Sequence, residues 1–305
     1  MPKKAKARRV HLRARAFAAL FAAGLLATAC DAGQRPPDAQ AVVSVSSAEL
    51  AVRFEVADGK QPTVSVLGFR ASTIAPDALP DVLGLVDPLS AAAPDQGCAL
   101  RDVDQATSAL GARGSSIDLE ELSGVGVGFG PGDPMVRPFP RLFPDVAGVV
   151  GGVVAEAAPQ PLELLPDRLS IYGAGSELPL AELTVPALPR LLAANGAAPA
   201  GGMRIDAAEG LSLSLGAAAG SLVELRPYGS TVAVTCAVPS NASTESVVTV
   251  PHALLVHLPH SRAGSWGVPV SIEVARRIRV REPIAPMGAR VSVEIRSALA
   301  AELRP

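Results

Sequence analysis

Leu50, Val52, Phe54 and Val56 occupy every second position, with Arg53 and Glu55 between them. A period of two is the pattern of a strand with one buried face. Asp58-Gly59 supplies a turn and Thr63-Val-Ser-Val66 resumes the alternation toward Arg70, so the pattern predicts a β-hairpin. From about Ser72 to Gln160 proline and glycine break the chain so often that only short strands are expected, at Ser116 to Leu122, Val125 to Phe129 and Val146 to Glu156. Arg168-Leu-Ser-Ile-Tyr172 and Leu180 to Val185 read as the closing strands of the same domain.

Prolines 186, 189 and 199 and glycines 196, 201 and 202 cluster next, which predicts a connection between domains. Within it, Pro189 to Ala194 reads as a short helix stopped by Asn195-Gly196, a pair suited to a left-handed C-cap. Beyond it the alternation is clear, in Leu211 to Leu215, Ser221 to Arg226, Thr231 to Val238, Glu245 to Val250, Val268 to Val280 and Arg290 to Arg296. Short strands between turn residues over about a hundred positions predict a β-sandwich, immunoglobulin-like or fibronectin-like in topology. The expected class is therefore all-β, with tandem β-sandwich domains. An N-terminal β-rich domain spans 42–186, a linker 187–204 and a C-terminal sandwich 205–305.

The first forty residues follow another rule. Lys3, Lys4, Lys6, Arg8, Arg9, Arg13 and Arg15 precede an apolar run from Ala16 to Ala29. A basic stretch before an apolar one is the layout of a secretory signal, and fourteen residues fall short of the roughly 20 that a spanning helix needs. The run ends in Leu25-Leu26-Ala27-Thr28-Ala29-Cys30, which resembles the lipobox of bacterial lipoproteins, although Ala27 stands where that family prefers Leu. The resemblance implies a signal peptide over 1–29, a diacylglycerol on the Cys30 thiol, and residues 30–41 as a polar tether. An ordinary signal cut after Ala27-Thr28-Ala29 is the plainer alternative. Arg8-Arg9 offers a twin-arginine signal only without the aromatic that usually follows it.

Charge narrows the partners. The chain has 27 basic and 29 acidic residues, and seven of the basic ones lie in residues 1–29, so the remainder carries 20 against 29. A net charge of −9 argues against nucleic acid as a partner. Aromatics are 3% of residues, so the core must be built of Val, Leu, Ile and Ala. Cys98 and Cys236 are an even pair in an exported chain. A bridge between them would close a loop of more than a hundred residues and contribute about 4 to 5 kcal/mol on a chain-entropy account. Equally, Cys236 shares the apolar face of Val232 and Val234, where a free thiol behaves as a small hydrophobe.

Few residues invite chemistry, and no motif calls for a cofactor. His252, His257 and His260 fall within nine residues, yet helical positions five apart point in different directions and no carboxylate adjoins them, so they are weak metal candidates. Ala263-Gly-Ser-Trp-Gly267 resembles a nucleophile elbow around Ser265, but a strand rather than a helix follows it. In Gly124-Val-Gly-Val-Gly-Phe-Gly130 the glycines alternate and Pro131 follows, which suits a strand with one bare face better than a phosphate loop. Asp102-Val-Asp104 begins like a calcium loop without completing one. Arg277, Arg279 and Arg281, beside Arg276, read as an exposed basic row with Ile278 and Val280 turned inward. Such a row could meet an acidic partner, or simply discourage edge-to-edge pairing.

Tyr172-Gly173, Glu182-Leu-Thr-Val-Pro186, Val232-Ala-Val-Thr-Cys236 and Thr249-Val-Pro-His-Ala-Leu-Leu255 resemble exported β-sandwich proteins of GC-rich bacteria such as myxobacteria. That resemblance implies a fold and a compartment and brings no activity with it. The sequence thus leads to an extracytoplasmic, membrane-anchored lipoprotein of the cell envelope, non-enzymatic, whose partners are the membrane through its lipid and an envelope protein or polysaccharide. The alternative is an exported hydrolase or metal-dependent enzyme using the 252–266 segment.

Overall fold

In the computed structural model the alternating segments fold as strands. The residues described are 45–57, 59–73, 97–102, 117–130, 135–146, 150–240, 245–259, 267–280 and 282–304. In chain order the first nine strands are β1 (Val45–Ala57), β2 (Thr63–Thr73), β3 (Cys98–Asp102), β4 (Ile117–Glu121), β5 (Gly126–Gly128), β6 (Phe139–Val146), β7 (Val150–Pro161), β8 (Arg168–Tyr172) and β9 (Ala181–Thr184). There follow β10 (Arg190–Ala194), β11 (Met203–Asp206), β12 (Leu211–Gly216), β13 (Ser221–Pro227), β14 (Val232–Ala237) and β15 (Glu245–Val250). A single-turn helix α1 (His252–Leu255) precedes β16 (Val268–Arg279) and β17 (Arg290–Arg304). The chain is all-β, as its alternation implies.

Eleven strands form one sheet in the order β3-β14-β13-β16-β17-β1-β2-β4-β7-β6, with β11 also on β17. Two three-stranded sheets, β5-β8-β9 and β10-β12-β15, complete the described fold. The hairpin read from Leu50 to Arg70 forms, with Gly59 at φ +67° in its turn and Val52 opposite Val66. Pairing in this register keeps Leu50, Val52, Phe54, Val64 and Val66 on one face, all at most 1% exposed. On β17 the same periodicity buries Val291, Val293 and Ile295 beside them.

These side chains meet Val127, Leu169 and Ile171 from the β5-β8-β9 sheet in one core, where Phe54 lies edge-on to Phe129 at 5.7 Å between centroids. A second core joins Val223, Leu225, Val270, Ile272 and Val274 of the large sheet to Leu211, Leu213, Leu215 and Val250 of the β10-β12-β15 sheet. Each such side chain contributes about 1.5 to 3 kcal/mol by leaving water. β17 serves both cores, giving Val291, Val293 and Ile295 to the first and Ala301 and Leu303 to the second.

Residues from either side of the interval 187–204 share the large sheet. β1 runs parallel to β17, from Glu49 opposite Arg290 to Ala57 opposite Ala298, and β3 lies antiparallel to β14. Cys98 and Cys236 face each other in that second pairing and are joined by a disulfide, with Cα atoms 4.0 Å apart across 138 positions of sequence.

The helix expected over Pro189 to Ala194 is not formed: Arg190–Ala194 is strand β10, antiparallel to β12. Leu and Ala are good helix formers, but propensity is a weak prior, and pairing with β12 offers ladder hydrogen bonds and packs Leu191 and Ala194 on the second core. Asn195 (φ 48°) and Gly196 (φ 77°) are both left-handed, as expected, but they turn a hairpin rather than cap a helix. Asn195 holds that turn by accepting the Ser212 N–H at 2.7 Å on Oδ1.

Candidate functional site

While the odd-numbered residues of β17 enter the cores, Arg290, Ser292, Glu294 and Arg296 alternate with them on the opposite face of the large sheet. Register decides what they meet. Glu294 stands opposite Arg277 on β16 and opposite Arg53 on β1, and Glu49 of β1 stands opposite Arg290. The strands thus bring acids and bases from distant parts of the chain into one row across the sheet.

Glu294 is 3% exposed and serves three guanidinium groups. Arg277 donates from Nε to Oε2 at 2.9 Å and also contacts that oxygen through NH2, Arg296 donates from Nε to Oε1, and Arg53 Nε lies 3.3 Å from Oε1. Arg296 also donates to Glu273 Oε2 at 3.3 Å, and Glu273 accepts the Ser271 hydroxyl at 3.2 Å. Burial of a carboxylate is tolerated when its charge is matched and its lone pairs are filled, and the planar, forked guanidinium is the side chain that does this best.

Two further groups extend the row. Glu224 is directly opposite Glu273 across β13 and β16, a repulsive placement, and Arg226 draws the Glu224 carboxylate aside with a 2.7 Å bond from Nε. At the other end Glu49, 6% exposed, accepts the Ser47 hydroxyl and Arg279, with Arg290 NH1 4.0 Å away.

The basic row expected to be solvent-exposed is corrected in two respects. The Arg277 side chain is only 22% exposed, because it lies on Glu294. Arg279 is exposed as expected, and its guanidinium reaches across β17 to Glu49. Ile278, expected inside, is 41% exposed, while Val280 packs against the first core. Arg276 is on the face opposite Arg277, and Arg281 lies outside the described residues.

No family model, curated protein or solved structure matches the chain. Its chemistry must therefore be read from its own residues.

The other candidates are scattered. His252 opens α1 and His257 sits in the turn after it, both exposed, and His260 and Ser265 lie outside the described residues, as does Cys30. Among the described residues no group of three or more His, Cys, Asp or Glu could hold a metal ion. None of their helices is long and apolar enough to cross a membrane. Asp102 ends β3, and Asp104 is outside the described residues. The glycine stretch is strand β5, where a Cβ on Gly126 would stand 2.4 Å from Met135 Sδ and one on Gly128 3.1 Å from the Tyr172 ring. Its bare face is filled by protein side chains.

An open cavity of about 250 Å³ lies where β1 leaves β17, before β11 joins it. Val56, Leu188, Leu191, Ile272, Val274 and Leu299 line it. It is apolar and carries no convergent set of titratable groups. The charged face of the large sheet is therefore the candidate functional surface.

Proposed function

We propose that this protein is a cell-envelope lipoprotein, held to a membrane by lipid on Cys30, that acts without catalysis by binding or assembly through its sheet surface. The N-terminal basic and apolar segments and the small residues before Cys30 support the tether and an extracytoplasmic location. The observation that carries the binding role is the Arg–Glu row. Its guanidinium groups are held by the buried carboxylates of Glu49 on β1 and Glu294 on β17, so the polar groups that a partner would meet are already oriented. The row spreads over β13, β16, β17 and β1, a layout suited to contact with an extended partner.

Metabolic labelling with an alkyne fatty acid, read beside membrane fractionation, tests the tether: the wild type is labelled and sediments with membranes, and Cys30→Ala does neither. In-cell crosslinking from Arg279 or Arg226 tests the surface and is expected to capture a defined envelope neighbour. Labelling of Ser265 by a serine-reactive probe, or stoichiometric zinc in the purified protein, would instead favour an enzyme built on residues 252–266.

A further inference from the structure

Arg279 and Arg290 differ from the other arginines of the row. Arg53, Arg277 and Arg296 gather on Glu294, and Arg226 has Glu224 to itself. Arg279 and Arg290 share a single carboxylate, that of Glu49. Arg279 NH2 is 2.5 Å from Glu49 Oε1, whereas Arg290 NH1 stops at 4.0 Å, outside hydrogen-bond range. Among the described residues the Arg290 guanidinium has this one ionic contact and no hydrogen bond. Both side chains are 46% exposed, so they stand at the wet end of a row whose carboxylates are buried.

Among the described residues, these two guanidinium groups and one carboxylate leave one positive charge. The two groups converge on one oxygen, with the hydroxyl-bearing Ser292 opposite Arg279 in the strand register and two residues along β17 from Arg290. A guanidinium fork matches the paired oxygens of a carboxylate or phosphate. We propose that Arg279 and Arg290 form a receptor for one singly charged oxyanion, with the Arg290 fork as the principal contact and Arg279, fixed by Glu49, as the second. Glu49 has two roles here. It holds Arg279 in place, and it repels a second anion, which selects for a single charge. The inference rests on the reading of this sheet face as the binding surface, and it names the chemistry that the face accepts.

Two ligand sources present that chemistry, the carboxylate of an acidic sugar and a phosphodiester. Isothermal titration of the purified protein at low salt with glucuronate and, separately, with dimethyl phosphate distinguishes them. At least one is expected to bind saturably at one site, and the tighter of the two identifies the source. Arg290→Gln leaves the Arg279–Glu49 pair intact and is expected to weaken binding about tenfold or more, as loss of a charge-assisted contact should. Arg279→Gln weakens it similarly, and Arg168→Gln, an exposed arginine on β8, leaves it unchanged. A thermal melt of Arg290→Gln matching the wild type excludes unfolding as the cause. The receptor is refuted by the absence of saturable binding of either anion, or by affinity that survives Arg290→Gln. Neither result bears on the tether, which fatty-acid labelling at Cys30 reads independently.

Discussion

Replacing Glu294 by Gln removes one negative charge and keeps the side chain's shape. Three guanidinium groups then surround an uncharged amide, one end of which offers N–H donors to donors. With the carboxylate only 3% exposed in the wild type, water cannot fully replace the lost partner. Removing one member of a buried ion pair costs about 3 to 5 kcal/mol. Arg296 keeps Glu273, which offsets part of this, so the lower end of that range is expected. For a protein of this size about 3 kcal/mol lowers Tm by roughly 6 to 12 °C. Urea unfolding followed by circular dichroism near the β-sheet minimum measures it, with Glu55→Gln as the comparison. Glu55 lies on the same face but is exposed, and its loss should cost no more than about 0.5 kcal/mol. High salt should hardly change the Glu294→Gln deficit, because screening acts weakly on buried pairs. If Glu294→Gln unfolds within about 0.5 kcal/mol of Glu55→Gln, the row is not a buried network and the argument fails.

Reduction of the Cys98–Cys236 bridge opens a 138-residue separation and should lower stability by up to about 5 kcal/mol on the chain-entropy account; equal urea midpoints with and without reductant would show that the bridge does not constrain the chain. Gly152 and Gly151 are neighbours with opposite expectations. A Cβ on Gly152, at φ +132°, would stand 2.0 Å from the Leu119 carbonyl oxygen, so Gly152→Ala should cost about 2 kcal/mol or more. Gly151 has open space around it, and Gly151→Ala should change stability by less than about 0.5 kcal/mol in the same urea assay. Similar losses at both positions would refute the close approach of β7 to β4.

The strands that could be read from the sequence share one property: an apolar residue at every second position and a polar one between. β1, the Thr63-Val-Ser-Val66 part of β2, β8 and β12 have it because one face of each enters a core, as in the pattern Leu211, Leu213 and Leu215 buried with Ser212 and Ser214 half-buried. β10 and the second half of β17 lack it. Ser297-Ala-Leu-Ala-Ala-Glu-Leu-Arg304 has the composition of a helix and becomes strand because β16 and β11 pair with it. β6 was hidden by Pro140 and Pro144, which are tolerated because β6 is at an edge of the large sheet. β3 is five residues long, and its partner β14 lies more than a hundred positions away.

The charged row was half legible. Arg53, Glu55, Arg277 and Arg279 stand out as polar positions in alternating segments. Nothing local shows that Glu294 will lie opposite Arg277, or that Glu49 will be reached by Arg279 from 230 positions away. A basic strand face looks solvated until the register supplies its acids. Charges on β17 alternating in sign, Arg290, Glu294 and Arg296, were the available signal, since a strand with both signs on one face is suited to cross-strand pairing.

The parallel pairing of β1 with β17 has a consequence for how the molecule comes into being. The earliest described strand and the last are side by side at the middle of the sheet, and β17 supplies residues to both cores. A chain emerging from a ribosome or a translocation channel therefore cannot close either core until nearly all of it is out. Until then β1 and β2 present Leu50, Phe54 and Val66 on a face with its central neighbour absent. Contacts spanning so much sequence make folding slow and leave the nascent form exposed to aggregation. Closure of the fold thus falls to the last strand made, and every earlier strand waits with its apolar face open until β17 arrives.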